Sequence, residues 1–503
     1  MYNSIITQFN NTTNLFPDKY AIIDEKRSIT FSNLQKEAFS VANSISLEYN
    51  SLPIAIYLPK SIDFVKSLVG VLYSGNFYIP LDTKSPLERI EKVIDNLQPK
   101  IIITNNACLS KLNSCKYKDY TILNIDLIET QNSCLQNNGY TKIIDVDPIY
   151  CIYTSGSTGL PKGVLLSHKS VNDFIFWIEN EFNLDENTIL GNQSPFVFDV
   201  SVIDIYICLK KGATMHIIPE MLFSFPVRLV DYVIENLINF IIWVPSVLIS
   251  VANSRSLEGK CLDRLNKVLF AGEVMPNKHL NYWRKNLNNA IFANLYGPTE
   301  AAVISTYYKV ERKFEDSEPL PIGRACSNMN ILVLNKENKL INDQEIGELY
   351  IKGTALANGY YNDFDKSNQV FIQNPLNKNF RELIYKTGDL VRYNDFGELI
   401  YIGRVDSQIK HMGYRIELGE IENAVLSVPD IDNLCVLYNE IEKEIVLIYS
   451  TSSLDLHEIE IRKKIGLLLP KYMIPNKFLK IIEMPLNQNG KIDRQELKKI
   501  YKL

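Results

Sequence analysis

Residues 153–163 read Tyr-Thr-Ser-Gly-Ser-Thr-Gly-Leu-Pro-Lys-Gly and continue the apolar run Ile149–Tyr153. Glycines let backbone N–H groups approach a ligand closely, and four hydroxyls and Lys162 add donors, a combination typical of polyphosphate binding. The loop is not a Walker A motif, because Lys162 is followed by Gly163 rather than by Ser or Thr. Taken by itself, a polar surface turn after a strand is the alternative.

Around this loop, strand-like and helical patterns alternate over about the first 400 residues. Ser51–Leu58 is strand-like, and Ser61–Leu72 repeats apolar residues at helical spacing. Phe77–Leu81, Lys100–Thr104 and Tyr120–Ile125 are further predicted strands. This alternation predicts an α/β fold with layers of helices around mostly parallel sheets.

The pattern changes beyond Asp406. A predicted helix over Leu418–Leu426 precedes two strand-like runs, 433–437 and 444–449, and a helix over 456–469. We therefore predict a large domain over residues 1–405 and a small α+β domain over residues 406–503.

Composition excludes several classes of function. The 503 residues carry 53 Lys and Arg against 58 Asp and Glu, a net charge of −5 that disfavours nucleic acid as a partner. The eight cysteines lack metal-ligand spacing, so we expect buried thiols of a reduced compartment. The sequence has no signal-peptide pattern and no stretch able to span a bilayer, and we expect a cytoplasmic protein with no membrane association.

Four more motifs follow the loop in order. They are Tyr296-Gly-Pro-Thr-Glu300, Tyr385-Lys-Thr-Gly-Asp389, Gly403-Arg404-Val-Asp406-Ser-Gln-Ile-Lys410 and Asn489-Gly-Lys491-Ile-Asp493. Together the five resemble the core motifs of the adenylate-forming superfamily, specifically stand-alone amino-acid adenylation enzymes of the nonribosomal peptide synthesis type. The resemblance implies a large N-terminal domain of layered sheets and helices and a small, mobile C-terminal domain.

The resemblance also implies an ATP site with a Mg²⁺ ion. Residues assigned to the β- and γ-phosphates are Thr154, Ser155, Gly156, Ser157, Thr158, Gly159 and Lys162. Residues assigned around the nucleoside and α-phosphate are Asn294, Tyr296, Gly297, Thr299, Asp389, Tyr401 and Arg404. Among them Tyr296 stacks on adenine, Thr299 touches the α-phosphate and Asp389 takes the ribose hydroxyls, while Glu300 holds the magnesium. Any one of these side chains, taken alone, fits a cap or a surface pair equally well.

In such enzymes a carboxylate first attacks the α-phosphorus of ATP and pyrophosphate leaves. Lys491 resembles the lysine that bridges the two reacting anions, and we expect it to be catalytic together with Thr299 and Glu300. A thiol then attacks the acyl adenylate after the small domain rotates about a hinge at Asp406, which brings in the segment 410–413. No phosphopantetheine attachment motif occurs in the sequence, so we expect a separate carrier protein to supply the thiol to this enzyme, itself expected to be a monomer.

Asp199 indicates the type of carboxylate. In amino-acid-activating members of the superfamily this Asp, within Phe198-Asp-Val-Ser-Val-Ile203, pairs with the substrate ammonium. Facing an acid without an amine, its buried charge would be uncompensated, which argues for an amino acid. The alternative is an aspartate that begins a helix, a role that suits Asp204 better.

The other pocket positions carried over from the resemblance are all apolar. They are Val200, Ile203, Ile242, Leu269, Ala271, Leu295, Val303 and Ile304. Two of them, Leu295 and Ile304, are bulky and shorten the pocket, which leaves alanine, proline, valine and their relatives as substrates.

Two substrates compete within this set. The pocket pattern with Ala271 resembles proline-activating enzymes that load prolyl carriers, although these often have Gln and His where Ile203 and Leu295 stand. Residues 198–206 and 270–277 instead resemble D-alanine:carrier-protein ligases, which usually have Cys in place of Ala271. We predict L-proline, with D-alanine as the alternative. An acyl-CoA synthetase, or a non-catalytic nucleotide-binding protein, is the alternative from another class.

Overall fold

A computed structural model describes residues 4–45, 50–112, 120–129, 135, 139–156, 160–342, 345–453, 456–486 and 492–503. The helices in these ranges are α1 Ile5–Leu15, α2 Phe31–Ser44, α3 Ile62–Tyr73, α4 Leu87–Leu97, α5 Asn106–Leu112, α6 His168–Glu181, α7 Ser201–Lys211, α8 Pro226–Glu235, α9 Pro245–Asn253, α10 Asn277–Asn286, α11 Phe364–Val370, α12 Leu418–Leu426, α13 Glu458–Ile465 and α14 Arg494–Tyr501.

The strands are β1 Tyr20–Ile23, β2 Ser28–Thr30, β3 Pro53–Ile56, β4 Phe77–Pro80, β5 Ile101–Thr104, β6 Thr121–Asn124, β7 Pro148–Thr154, β8 Lys162–Ser167, β9 Ile189–Asn192, β10 Thr214–Ile217, β11 Phe240–Trp243, β12 Lys267–Ala271, β13 Ile291–Tyr296, β14 Thr306–Lys309, β15 Arg324–Ala325, β16 Met329–Leu334, β17 Gly347–Gly353, β18 Gly359–Tyr360, β19 Phe371–Gln373, β20 Leu383–Tyr393, β21 Leu399–Arg404, β22 Gln408–His411, β23 Tyr414–Glu417, β24 Asn433–Asn439, β25 Glu444–Ser450 and β26 Lys477–Lys480. Short 3₁₀ helices span Ile125–Leu127, Gly139–Lys142, Glu220–Ser224, Thr299–Ala301 and Lys471–Met473.

The chain folds into two compact units. The first unit comprises residues 1–83, 98–152 and 163–405, and the second comprises residues 84–97, 153–162 and 406–503. Helix α4 and the glycine-rich loop therefore belong to the same unit as the C-terminal segment. The sequence did not indicate that these two N-terminal segments belong to the second unit. The division into domains 1–405 and 406–503 stays a prediction.

Two large sheets form the first unit. One has the strand order β15-β14-β13-β12-β11-β9-β10-β1-β2, in which the run from β13 to β1 is parallel. The other has the order β18-β8-β7-β4-β3-β5-β6. The interior strands are buried along their length, as in Phe-Ile-Ile-Trp of β11, because parallel sheets are covered on both faces.

Side chains alternate between the two faces of the nine-stranded sheet, so its strands contribute to two separate apolar clusters. Leu269 and Ala271 of β12 lie in what we call the inner cluster, which also contains Tyr78 and Tyr150 of the seven-stranded sheet. The intervening Val268 and Phe270 lie in an outer cluster on the opposite face. The inner face of this sheet is the one that carries the predicted pocket residues.

Smaller sheets complete the two units. In the first unit, β16-β17-β20-β19 form a sheet to which β21 adds by pairing with β20. In the second unit, β22 and β23 form a hairpin and β24-β25-β26 a three-stranded sheet, packed with α12 and α13 around an apolar core. The predicted helix Leu418–Leu426 has the bounds of α12, and the predicted α/β class is confirmed.

Two further observations concern the helices and the cysteines. Within the described ranges, no helix is both long and apolar enough to cross a bilayer. Of the six described cysteines, five are buried thiols, whereas Cys261 is exposed, so the expectation of burial was wrong at that position. Cys261 lies outside regular structure, where no apolar periodicity indicates burial.

Candidate active site

A buried ion pair joins two motifs of the first unit. Asp389 of β20 lies opposite Arg404 of β21, and Arg404 Nη1 lies 2.6 Å from Asp389 Oδ1. The second carboxylate oxygen accepts a hydrogen bond from the hydroxyl of Tyr296, at the end of β13. Burial, and then the charge of Asp389, raise the pKa of Tyr296 well above its usual value, so this phenol remains a donor. A carboxylate offers about four acceptor positions, so that of Asp389 can accept hydrogen bonds beyond these two, and its contact with ribose hydroxyls stays a prediction.

Thr387 orients this ion pair, a role that no sequence pattern singled out. Its hydroxyl accepts from the Asp389 N–H at 3.0 Å and donates to the Leu349 carbonyl at 2.6 Å. The Thr387 carbonyl in turn accepts from Arg404 Nη2 at 3.0 Å. The only signal for this role was the position of Thr387 inside the motif that ends at Asp389.

Asn294 and Tyr401 flank the same place. Tyr401 packs in the apolar cluster that contains Tyr296. The Asn294 amide donates a hydrogen bond to the carbonyl of Pro321 at 2.8 Å, so this side chain holds the backbone at Pro321. Both predicted nucleoside residues are therefore near Tyr296, while their contact with a nucleotide stays a prediction.

Glu300 is fully buried in the 3₁₀ helix Thr299–Ala301. Its Oε1 accepts a hydrogen bond from the Tyr360 hydroxyl at 2.7 Å, and its backbone carbonyl accepts from the Ala357 N–H at 2.9 Å. A buried carboxylate needs such partners, because burying an unpaired charge strongly destabilises the folded protein. Tyr360 was not expected from the sequence, because it lies 60 residues away and in no quoted motif.

A tight turn next to Gly297 shapes the adjoining pocket. Ala302 and Val303 have φ values of 46° and 74°, and the Ile304 N–H donates to the Ala302 carbonyl at 2.9 Å. This conformation is rare for a β-branched residue and costs about 1–3 kcal/mol. The turn places two predicted pocket residues, Val303 and Ile304, in the inner cluster.

The predicted apolar pocket residues come together on one face of the nine-stranded sheet. Strand register places Ile242 opposite Leu269 and Ala271 opposite Leu295. The inner cluster contains Ile203, Ile242, Leu269, Ala271, Leu295, Val303 and Ile304, and Val200 packs against it. The carbon-rich surroundings fit an apolar side chain, and the role of these residues as a substrate pocket stays a prediction.

Asp199 is only partly buried and directly precedes Val200, the N-cap of α7, which makes no side-chain capping bond. The Asp199 side chain therefore does not occupy the cap position of this helix. The hydroxyl of Tyr150 is fully buried without a hydrogen-bond partner in the described part of the chain. Burial and the charge of Asp199 raise the pKa of Tyr150, which is thus a further polar group near Asp199 that the sequence did not indicate.

In the second unit, the glycine-rich loop is bound by the C-terminal segment. The Ser155 hydroxyl donates to the Arg415 carbonyl at 2.8 Å, and Lys162 Nζ lies 3.6 Å from Glu417 Oε1. The Gly156 N–H donates to Glu420, whose pKa is raised by burial. Donors that the sequence assigns to phosphates are here used by protein acceptors, with which a polyphosphate would compete.

Several predicted residues lie outside the described ranges: Ser157, Thr158, Gly159 and Lys491. Thr154 ends β7 and Asp406 is exposed, with its Oδ1 accepting from the Gln408 N–H at 3.2 Å. The segment 410–413, expected to move in for the second step, comprises the end of β22 and the turn of the β22–β23 hairpin, where Met412 and Gly413 have φ values of 52° and 79°.

The family described as AMP-binding enzyme matches residues 9–361. The chain belongs to this family. As an AMP-binding enzyme it is 31% identical over 491 residues to zwittermicin A synthase ZmaJ of Bacillus cereus, covering 96% of this chain and 92% of that protein. It is also 32% identical over 505 residues to the dimodular nonribosomal peptide synthase of Bacillus subtilis, with 98% of this chain covered. The chain spans only 21% of the length of that second relative.

The AMP-binding enzyme also has the fold of a solved adenylation domain. It superposes on AlmE of Vibrio cholerae with a TM-score of 0.86 at 22% identity, covering 100% of this chain and 98% of that chain. The adenylate-forming class predicted from the five motifs is thereby confirmed, with relatives of the nonribosomal peptide synthase type.

Replacing Gly297 with alanine tests the geometry of this AMP-binding enzyme. An added Cβ would lie 2.4 Å from the Val303 carbonyl and 2.6 Å from Ile304 Cα, so the turn must move. We expect Gly297→Ala to weaken AMP binding, measured by calorimetry, by at least about tenfold. The control Gly403→Ala, whose Cβ would meet no atom within 4 Å, should bind AMP normally. Equal affinities of the two variants would contradict this account.

Proposed function

We propose that this enzyme activates a small apolar amino acid, with L-proline as the preferred substrate, as aminoacyl-AMP and then transfers it to a carrier-protein thiol. One observation carries the proposal: the carboxylate of Asp199 directly precedes Val200, which packs against a set of exclusively apolar predicted pocket residues on the inner sheet face. That combination fits an ammonium group next to an aliphatic side chain. The glycyl-adenosine-5'-phosphate in the AlmE complex supports an aminoacyl adenylate as the intermediate.

The nucleotide is held by groups that the fold has already oriented. Asp389, fixed by Arg404 and Thr387, accepts from the ribose hydroxyls, and the Tyr296 ring stacks on adenine. Thr299 contacts the α-phosphate. We assign Mg²⁺ to Glu300 together with phosphate oxygens, and within the described residues no group of three or more His, Cys, Asp or Glu is arranged for a metal ion. Such sparse protein ligation suits Mg²⁺, which neutralises charge on the phosphates.

In the first step a carboxylate oxygen of the amino acid forms a bond to the α-phosphorus of ATP, and the bond to the β-phosphate oxygen breaks. Pyrophosphate leaves with that electron pair. Two anions must approach each other, so the protein contributes mainly positioning and positive charge. We assign the positive charge to Lys491, in the Asn-Gly-Lys-Ile-Asp motif.

In the second step a thiolate attacks the carbonyl carbon of the adenylate, a thioester forms and AMP leaves. We assign the thiol to the phosphopantetheine of a separate carrier protein and the gating of the step to rotation about Asp406. Coenzyme A as acceptor is the alternative that an acyl-CoA synthetase would use. Asp199 argues against that class, because it would face an acid that has no amine.

The pocket residues favour proline over D-alanine as the substrate. Its ring fills a short aliphatic pocket bounded by Leu295 and Ile304, and its secondary ammonium keeps two N–H donors for Asp199. Neighbouring aliphatic substrates differ by about 1–3 kcal/mol per methylene group, so we expect a graded preference among small amino acids.

ATP–pyrophosphate exchange with single acids tests the substrate class. We expect the strongest exchange with L-Pro, weaker exchange with L-Ala, D-Ala and L-Val, and none with benzoate or octanoate. A dominant D-Ala signal would replace proline by D-alanine within the same proposal. Exchange with the amine-free acids alone would contradict amino-acid activation.

Removing the carboxylate of Asp199 tests ammonium recognition. Asp199→Ala leaves the substrate ammonium without its partner, so kcat/KM for the amino acid should fall about 100-fold or more. The KM for ATP should stay within about threefold, because the lost contact is to the amino acid alone. An unchanged kcat/KM for the amino acid would show that Asp199 does not bind the ammonium group.

Lys491→Ala tests the assigned catalytic charge. Loss of a preorganised charge at a developing anion typically lowers the rate by about 10²–10³, and we expect this loss in pyrophosphate exchange without loss of folding. Lys498→Ala is the matched control, since this exposed lysine lies on α14 seven residues further on. Equal exchange by the two variants would remove Lys491 from the mechanism.

A further inference from the structure

A fully buried aspartate lies five residues beyond Asp199. Asp204, in the first turn of α7, is 1% exposed, and its Oδ2 accepts a hydrogen bond from Asn192 Nδ2 at 2.7 Å. Asn192 is the last residue of β9. This hydrogen bond therefore joins the end of β9 to the start of α7, and the connecting segment 193–200 contains Asp199.

The strand end of that segment has additional anchors. Lys60 Nζ donates to the carbonyl oxygens of Asn192 at 3.2 Å and of Gln193 at 3.0 Å. Asn192 Nδ2 also lies 3.4 Å from the Ser194 carbonyl. The segment thus leaves β9 in a direction set by two side chains, Lys60 and Asn192.

The helix end of the segment is held by short-range bonds. The Phe198 N–H donates to the Pro195 carbonyl at 3.0 Å, and the Ser201 hydroxyl donates to the Phe198 carbonyl at 2.7 Å. The Val202 N–H donates to the Asp199 carbonyl at 3.0 Å. Segment 193–200 is thus anchored at its strand end by Lys60 and by the Asn192–Asp204 bond, and at its helix end by bonds to the first turn of α7.

The simplest explanation of Asp204 is that an acidic residue in the first turn stabilises a helix. That explanation does not require burial. Burial is costly for the ionised carboxylate: it raises the pKa of the Asp204 carboxyl to about 7, although the hydrogen bond from Asn192 and the charge of Lys60 both lower that pKa. Asp204 Oδ1 and Asn192 Oδ1 are buried atoms without a partner in the described ranges. Replacing a buried charged network with apolar residues of similar volume is often neutral or stabilising, so stability alone does not explain this one.

We propose that Asp204 is a positioning residue for amino-acid binding: through Asn192 it fixes segment 193–200 and thereby the place of the Asp199 carboxylate. This inference rests on the proposed function, in which Asp199 binds the substrate ammonium. Asp204 acts through Asn192 and is not assigned a contact with the substrate.

The proposal has a defined pH dependence. The ionised carboxylate is the stronger acceptor for Asn192, so the KM for the amino acid should rise as the pH falls through about 7. The charged and titratable groups that interact with Asp204 in the described residues are Lys60, from the segment before α3, and the Cys208 thiol, on α7 itself. Burial raises the pKa of the Cys208 thiol to about 12, so this thiol stays neutral over the pH range in question.

The stability effect has the opposite sign. Because the folded-state pKa of Asp204 lies above the value of about 3.8 in the unfolded chain, ionisation destabilises the fold as the pH rises from about 4 to 7. Asp204→Asn removes that buried charge. The variant should therefore keep or raise its Tm at pH 8 while binding the amino acid less well, a combination that a purely structural residue does not produce.

The experiment compares wild type, Asp204→Asn, Asn192→Ala and the control Asp173→Asn, a substitution of a partly buried aspartate on α6. Exchange kinetics are measured from pH 6 to 8.5 with the amino acid that the wild type activates best. We expect both Asp204→Asn and Asn192→Ala to raise the amino-acid KM about tenfold at pH 8, with kcat and the KM for ATP within about threefold. In Asp204→Asn the rise in KM below pH 7 should disappear, and the control should match wild type.

Hydrogen exchange of the peptides over residues 193–200 gives a readout that needs no substrate. We expect faster exchange in this segment in Asp204→Asn and Asn192→Ala, and wild-type exchange in the control. Unchanged exchange in the segment, or equal losses in kcat and in the KM for ATP, would overturn the positioning role. Absence of amino-acid activation in the wild type would overturn the proposed function, and hydrogen exchange would still decide whether Asp204 fixes the segment.

Discussion

The antiparallel pairing of β20 with β21 places Arg404 opposite Asp389, and the proposed nucleotide site depends on this buried ion pair. Two charges can be removed from water only when they are paired and hydrogen-bonded, which Thr387 and Tyr296 provide. The carboxylate is thereby held ready to accept further hydrogen bonds without reorganisation. The same requirement applies to Glu300, which is buried against the hydroxyl of Tyr360.

The proposed amino-acid pocket depends on a different constraint, the alternation of side chains along parallel strands. Because neighbouring strands are in register, Leu269, Ala271 and Leu295 point to one face and form a continuous apolar surface. Asp199 directly precedes Val200, which packs against this surface, and the proposal assigns the substrate ammonium to its carboxylate. The Asp204–Asn192 bond then accounts for how a residue on an irregular segment keeps a defined place.

Much of the fold could be predicted from local patterns, because strands such as β5 and helices such as α12 have apolar spacing that differs from their surroundings. The motifs also predicted the family. What local patterns do not contain is pairing at long range: the contact of Tyr360 with Glu300 and the bond from Ser155 to Arg415 join residues 60 and 260 positions apart. The burial of Asp204 could not be predicted either, because an aspartate in the first turn of a helix is more often exposed.

Identification of the acyl adenylate by mass spectrometry tests the central claim most directly. The enzyme is incubated with ATP, Mg²⁺ and an equimolar mixture of amino acids and amine-free acids. The tightly bound product is then released and its mass is measured. We predict an aminoacyl-AMP with a small apolar side chain, with prolyl-AMP the most abundant. An adenylate of an amine-free acid, or of a charged amino acid, would contradict it.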